Sequence, residues 1–419
     1  MSRTFRGGLV AVTALALGIR ILGVRALLPV NPLGDNYYFH EQANLLSRGH
    51  WFVQPFVHHA FGTFEASAIH PPLYTIVLTF GSLLGFRSFG DHAYLSCLLG
   101  TGTVVVVALL ARRLAGDVAG IVAGLLAALY PNLWLHDTVV MSESLYALVV
   151  ALLLYVAVTE WAAPTRRGAL ALGALVGAAV LTRGEGLLFV PLLLLPLYLR
   201  RRAGRDWRTA GIALGVAAAL VLPWTAWNTI RFHTPVLVSV NSSEVIALAN
   251  CPPTYDGVHL GYWTPECYYG NPKGNEAERG TYWRDLGIRY AREHAGRLPV
   301  VILARVGGSF GVFRPMLHVR FGGNEGRDWH WGRIGMFGYD AMVPLALLGL
   351  WALRRRGRPL WPMLAPWVVV LGTSILIYGA IRFRIAAEVP LVVLAGVAVG
   401  TGAEALRSRV RRAPESTSA

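Results

Sequence analysis

Apolar runs constrain this chain more than any other feature. About a dozen stretches of about 15 to 23 predominantly apolar residues follow one another along it, and a bilayer core about 30 Å thick needs roughly 20. Of its 419 residues 54% are hydrophobic and 15% charged, against roughly 25% charged in an average soluble domain. An ordinary soluble enzyme is excluded. Without water, backbone polar groups must be satisfied inside each segment, so runs of this length imply helices rather than a barrel. The expected fold is an all-α polytopic membrane protein. The formal net charge of +15 does not point to nucleic acid, because the arginines cluster beside apolar runs instead of covering one hydrophilic face.

Those clusters act as topology signals. Arg112-Arg113, Arg166-Arg167, Arg200 to Arg202 with Arg205 and Arg208, Arg354 to Arg356 with Arg358, and a tail with Arg407, Arg409, Arg411 and Arg412 can all be cytoplasmic under one count of spans. That count places spans near 7–28, 92–112, 117–135, 145–161, 168–182, 185–199, 209–227, 337–353, 360–378 and 385–405. The first follows Arg3 and Arg6, carries Arg20 and Arg25 and lacks a small-x-small cleavage site, so it reads as an uncleaved span rather than a secretory signal. Two further apolar stretches, 73–86 and 298–313, are short and read as helices lying at the outer interface.

The expected organisation is one integral-membrane domain over 1–405 and a cytoplasmic basic tail over 406–419. Extracytoplasmic loops are expected at about 29–90, 136–144, 228–336 and 378–384, with both termini cytoplasmic. The long loop holds Tyr262-Trp263, Tyr268-Tyr269 and Tyr282-Trp283, which suit a sugar-contacting surface and an interfacial one equally well. It also holds Cys251 and Cys267. A disulfide between them would close a ring of about 16 residues, worth about 3 kcal/mol in the chain-entropy model; two thiols in one loop can also stay free.

The chemistry-bearing residues lie at outer span ends. Asp35, in Gly34-Asp35-Asn36-Tyr37-Tyr38, follows the prolines that end the first span. An acid there can accept a proton from a delivered hydroxyl, or serve as N-cap of a helix over 36–47. His70 is held at a stiff corner by Pro71-Pro72, where an imidazole can bond a phosphate or hydroxyl. Glu143 opens a span, as helix-dipole electrostatics alone would favour, with Asp137 the neighbouring alternative. Arg382 and Arg384 stand outside against the charge rule, and an anionic partner such as a lipid phosphate is the simplest reason. Arg183 is another outside arginine, with Glu185 two residues on. No Walker loop, His-x-x-x-His helix or nucleophile motif is present, and His58-His59 stands without matching ligands.

The order of these pieces resembles the GT-C fold glycosyltransferases that use polyprenyl-phosphate sugars, in particular the protein O-mannosyltransferase and lipid A aminoarabinose transferase superfamily with its bacterial Rgt-like members. The matching residues are Asp35, His70 to Tyr74, Arg112 to Gly116, Ser142-Glu143, Leu222-Pro223-Trp224 with Asn228, and Arg382 to Arg384. The resemblance implies inverting transfer of a sugar from a polyprenyl-phosphate donor to an acceptor hydroxyl on a glycan, lipid or protein outside the plasma or inner membrane. By carry-over Asp35 is the general base and Glu143 orients the acceptor or supports the base. His70, Arg183, Arg382 and Arg384 hold the donor phosphate, and Tyr38, Tyr74, Trp224 and Asn228 contact substrate. Many relatives carry a second acid beside the first; here Asn36 follows Asp35, which leaves Glu41 or Glu143 for a paired-acid role. No cofactor is implied, with a divalent cation left open. The competing class is a transporter or flippase of a lipid-linked anionic substrate, which also needs many spans and arginines near a phosphate.

Overall fold

The structure, a computed structural model, describes residues 2–28, 32–200 and 206–412, with side chains described as far as Arg407. The expected arginine loop at 201–205 and the end of the basic tail at 413–419 lie outside the described residues. In chain order the helices are α1 (Arg3–Leu27), α2 (Asp35–Ser47), α3 (Pro55–Phe61), α4 (Leu73–Leu83), α5 (Phe89–Leu129), α6 (Pro131–Thr138), α7 (Glu143–Glu160), α8 (Arg166–Thr182), α9 (Leu195–Leu199), α10 (Trp207–Phe232), α11 (Asn241–Leu248), α12 (Pro252–Tyr255), α13 (Glu276–Glu293), α14 (Leu298–Ser309), α15 (Pro315–Gly322), α16 (Trp329–Arg355), α17 (Trp361–Leu376) and α18 (Ile385–Arg412). Apart from one isolated bridge, Val53 to Ala66, the described residues form no strand.

Among the described residues six helices are long and apolar enough to cross a membrane, by length and composition: Arg3–Leu27, Phe89–Leu129, Glu143–Glu160, Trp207–Phe232, Trp329–Arg355 and Ile381–Arg407. The 41-residue α5 is a helical hairpin. Its helical geometry breaks at Ala115 and at Gly116, whose φ of +89° only glycine adopts cheaply. Beyond the break the chain returns alongside itself, so that a Cβ on Gly120 would meet the Ala108 carbonyl at 2.7 Å. The first arm covers the span expected at 92–112; the second, expected at 117–135, ends at Leu129, because Tyr130 caps it and Pro131 starts the separate helix α6. The remaining expected spans fall on shorter helices: α8 with 17 residues, Gly184–Leu199, and α17 with 16. At 1.5 Å per residue these reach about 25 Å, the low end of what spans a bilayer. The two stretches assigned to the interface are helices of 11 and 12 residues, α4 and α14, too short to cross.

Small residues let α18 sit deep in the bundle. A Cβ on Gly400 would lie 2.7 Å from the Ala119 backbone, so α18 and the returning arm of α5 meet backbone to backbone, the close approach that small residues allow where lipid supplies no hydrophobic drive. The basic segment from 406 is not a separate tail at its start, because α18 continues through it to Arg412. A buried ion pair, Arg20 Nε to Asp137 Oδ2 at 2.8 Å, ties α1 to α6.

The helix ends sort onto two faces. On one, Asp117 accepts from Ser2 and Arg112, and Arg356 pairs with Glu404 at 2.7 Å. On the other, the first loop, the α6–α7 turn, the end of α8, the long loop and the turn before α18 converge. These are the segments that the count of spans expects on one side.

Arg231, the backbone at Val240 and one buried carboxylate fasten the long loop to the first. Glu276, in the first turn of α13, is almost wholly buried and accepts from Ala68 N at 2.6 Å, Ser67 Oγ at 2.9 Å and Gln54 Nε2 at 3.3 Å. Burial pushes its pKa up to about 7, against the pull of those donors. A carboxyl raised above its unfolded value contributes stability that is complete below pH ~4.5 and lost as pH rises through about 7, a swing of about 3 kcal/mol. Hydrogen exchange at the junction of α13 with residues 66–68, corrected for intrinsic rate, is therefore expected to be slower at pH 5 than at pH 8. Glu276→Gln should remove that dependence.

Candidate active site

Asp35 occupies the first turn of α2. Gly34, with φ +66°, precedes it as N-cap, a conformation that glycine permits, and no side chain caps the helix. The N-cap expectation for Asp35 is thus replaced: its carboxylate turns away from its own backbone. Oδ1 lies 3.2 Å from His70 Nε2, and Oδ2 accepts from Arg382 Nη1 at 2.9 Å. Pro72 caps α4 and Leu73 begins it, so the double proline fixes His70 immediately before a helix start. The imidazole rests against the Phe39 ring, centroids 4.7 Å apart.

Arg382 is the centre of the cluster. The same Nη1 lies 2.9 Å from Glu325 Oε1, and Nη2 donates to the Tyr378 hydroxyl at 3.2 Å. Asp35 and Glu325 therefore share one guanidinium, and their environments push them apart. Burial opposes the charge on Asp35, but the charges and hydrogen bonds of His70 and Arg382 outweigh it and hold the carboxyl below the usual range. Burial raises Glu325, and Arg382 and Arg327 do not fully offset it. Of the two acids, Asp35 is the one kept firmly ionised.

Arg183 ends α8 and pairs with two acids: Glu143 through Nη1 at 2.7 Å and Glu185 through Nε at 2.5 Å. Its guanidinium lies 5.7 Å from the Phe383 ring centroid, and that of Arg382 lies 5.8 Å from the same ring. The two cations thus flank one phenyl group. Glu143, expected among the catalytic residues, is fully buried beneath Arg183. It positions that arginine and does not line the cleft.

The cleft has two lobes meeting at Asp35, His70, Tyr378 and Arg382. The first, about 130 Å³, runs past Ser142, Thr182, Arg183, Glu185 and Phe383. The second, about 240 Å³, is walled by Tyr38, Phe56, Glu244, Trp263, Tyr268 and Glu325. Tyr38 offers its ring, because its hydroxyl is engaged with Ser67 Oγ at 2.7 Å. The disulfide expected as one of two outcomes is formed, joining Cys251 to Cys267 with Cα atoms 5.8 Å apart.

Four expected contacts fall elsewhere. Tyr74 is buried with its hydroxyl on Ser96 at 2.7 Å. Trp224 donates to the Val238 carbonyl at 2.7 Å and packs on Phe52, and Asn228 donates back to the Trp224 carbonyl at 3.0 Å. Trp224 thus braces the start of the long loop, Tyr74 ties α4 to α5, and Asn228 bonds within α10. Arg384 is the fourth: residues two apart on the short 3-10 turn Ile381–Arg384 face different ways, so Arg382 enters the cleft and Arg384 enters the bundle. There it pairs with Glu388 at 2.6 Å and lies over the Tyr339 ring. Arg384→Ala should leave Glu388 buried without its cation and lower stability by about 3–5 kcal/mol. Chemical denaturation in detergent checks this, with the variant's defect expected in stability rather than in substrate KM.

Glu41, the other acid offered for a paired role, points to a separate hollow with His58 and His59. The partner of Asp35 across Arg382 is instead Glu325, with Arg327 at 3.5 Å from it. Neither residue was singled out from the sequence; the only signal was a charged pair, Glu325-Gly326-Arg327, between glycine-rich and aromatic stretches. Asp35, Glu143, Glu185 and Glu325 each face a guanidinium, and among the described residues no three His, Cys, Asp or Glu side chains gather as a metal set.

A family model described as dolichyl-phosphate-mannose-protein mannosyltransferase matches residues 69–227, less than half of the chain. No curated protein sequence matches it. Among solved structures, it is similar to the Archaeoglobus fulgidus oligosaccharyltransferase in complex with zinc and sulfate, with a TM-score of 0.57 and 15% identity over 96% of this chain and 50% of that one. It is also similar to the oligosaccharyltransferase AglB of the same archaeon in complex with an inhibitory peptide and a dolichol-phosphate, with a TM-score of 0.52 and 13% identity over 100% and 53%. ArnT from Cupriavidus metallidurans, bound to undecaprenyl phosphate, gives a TM-score of 0.45 and 15% identity over 99% and 82%. The chain spans about half the length of the oligosaccharyltransferases it matches, and at these identities the likeness is one of fold. The chain is a multi-pass membrane protein with the GT-C fold of membrane-embedded glycosyltransferases.

Proposed function

We propose that the protein is an inverting glycosyltransferase that moves a sugar from a polyprenyl-phosphate donor to an acceptor hydroxyl on the extracytoplasmic side of a cell membrane. The observation that carries this reading is the meeting of an ionised carboxylate, Asp35, with two guanidiniums, Arg382 and Arg183, at one cleft on the membrane face opposite the arginine clusters. The sidedness follows from those clusters, which put the opposite face in the cytoplasm. A polyprenyl-phosphate donor is supported by the fold neighbour AglB, which is described in complex with a dolichol-phosphate.

In this mechanism the donor phosphate takes the first lobe against Arg183 and Arg382. The acceptor oxygen attacks the anomeric carbon from the opposite face and a new glycosidic C–O bond forms. The bond from that carbon to the phosphate oxygen breaks, and the electron pair leaves with the polyprenyl phosphate. Asp35 takes the hydroxyl proton. A positioned base contributes about 10²- to 10⁴-fold, and preorganised cations at the leaving oxygen add to it. Donor binding also serves the base. A phosphate drawing on Arg382 weakens that guanidinium's hold on Asp35 and raises the carboxylate's affinity for a proton at the moment it is needed.

The test is release of polyprenyl phosphate from a panel of polyprenyl-phosphate sugars by the protein in lipid nanodiscs. Turnover of one donor is expected. Transbilayer movement of intact donors in liposomes without cleavage would replace this reading with a flippase.

A further inference from the structure

We propose that the second lobe of the cleft is the acceptor site and that it takes the end ring of a neutral saccharide; this rests on the glycosyltransferase reading. The lobe begins at Asp35, so whatever fills it places a hydroxyl against the base. Its walls combine flat rings, Tyr38, Phe56, Trp263 and Tyr268, with the carboxylates of Glu244 and Glu325. A pyranose has an apolar C–H face and a rim of hydroxyls, which ask for this pairing of aromatic surface and acceptor oxygens.

Size and charge narrow the occupant. The lobe's volume of about 240 Å³ lies below the roughly 300–1,000 Å³ of sites for drug-sized ligands. It holds one sugar ring, with the rest of an acceptor outside. Three carboxyl groups, Asp35, Glu244 and Glu325, line the lobe against the single guanidinium of Arg382, which Asp35 and Glu325 already share; burial opposes the charge on Glu244, and Arg279 and His70 only partly favour it. An anionic acceptor such as a phospholipid headgroup is disfavoured there.

The lobe is also held in shape. Tyr268 donates its hydroxyl to Glu244 Oε2 at 3.2 Å, leaving Oε1 to accept from a ligand hydroxyl. Glu244 lies on α11, which ends shortly before Cys251, and Tyr268 directly follows Cys267. The disulfide therefore clamps together the two elements that carry this pair, and Trp263 packs against the cluster of Leu248 with the two cysteines. Fixing both walls before the acceptor arrives removes an ordering cost from binding.

Saturation-transfer NMR on the protein in nanodiscs, with mannobiose and maltose against a Ser/Thr-rich peptide, tests the site without any donor. A neutral disaccharide is expected to bind through its ring protons, with affinity reduced about tenfold in Tyr268→Ala and in Glu244→Gln. Tyr268 is nearly half exposed, so its truncation should fold. In donor turnover the same disaccharide should speed polyprenyl phosphate release, and the two variants should raise its KM more than they lower kcat. Binding of the peptide in place of both sugars would overturn the proposal, as would sugar binding unchanged in both variants. Donor hydrolysed to water with no saccharide effect would overturn the acceptor class alone. Saccharide binding with no donor cleaved would support the site and remove the transferase reading.

Discussion

Asp35→Asn is expected to lower sugar transfer by about 10²- to 10⁴-fold with little change in fold. The substitution keeps the shape of a side chain that is 30% exposed and removes its charge. Arg382 retains Glu325 and the Tyr378 hydroxyl, so the cluster is not left with a bare cation. The loss should fall on kcat, because Asp35 acts on the acceptor proton in the transition state, while donor binding through Arg183 and Arg382 persists. Initial rates at saturating donor, with thermal unfolding as the control for folding, check this. Transfer within threefold of the wild type would remove Asp35 as the base.

The second large effect is expected at Arg382. Replacing it by alanine leaves Asp35 and Glu325 facing each other without the guanidinium they share. It also deletes one of the two cations of the donor lobe. Loss of such a preorganised group costs about 10²- to 10³-fold in kcat elsewhere, and a comparable fall is expected. The pH profile carries a second signature. In the wild type Asp35 is held ionised below the usual carboxylate range, so activity should not fall through its protonation until the solution is more acidic than pH ~4. Arg382→Ala should move that acidic limb upward. Arg382→Lys restores charge but not the fork that reaches two acids at once, and only partial recovery is expected.

Much of this site is legible in the sequence, because topology places residues on a face without specifying contacts. Counting spans against the arginine clusters put Asp35, His70, Arg183 and Arg382 outside, and the fold brings those four to one cleft. Direction was not legible. Arg382 and Arg384 look alike in the sequence, and only the tight turn that carries them decides that one meets Asp35 while the other meets Glu388. Tyr74, Trp224 and Asn228 stand in the same order as in the resembling family, yet each side chain is spent on an internal hydrogen bond. Glu325 and Arg327 are not legible because a loop has no periodicity that assigns a face, and the contact of Glu325 with Arg382 spans more than fifty residues of chain. Glu143 was found, but its duty is one step removed from the cleft.

Determination of the structure with a polyprenyl phosphate bound in nanodiscs tests the central claim most directly. The account predicts the phosphate in the first lobe, within hydrogen-bonding distance of Arg183 and Arg382, with Asp35 drawn back from Arg382 and facing the second lobe. A phosphate on the opposite face beside Arg112 or Arg356, or one that leaves the Asp35–Arg382 pair untouched and is reached by neither guanidinium, would contradict it.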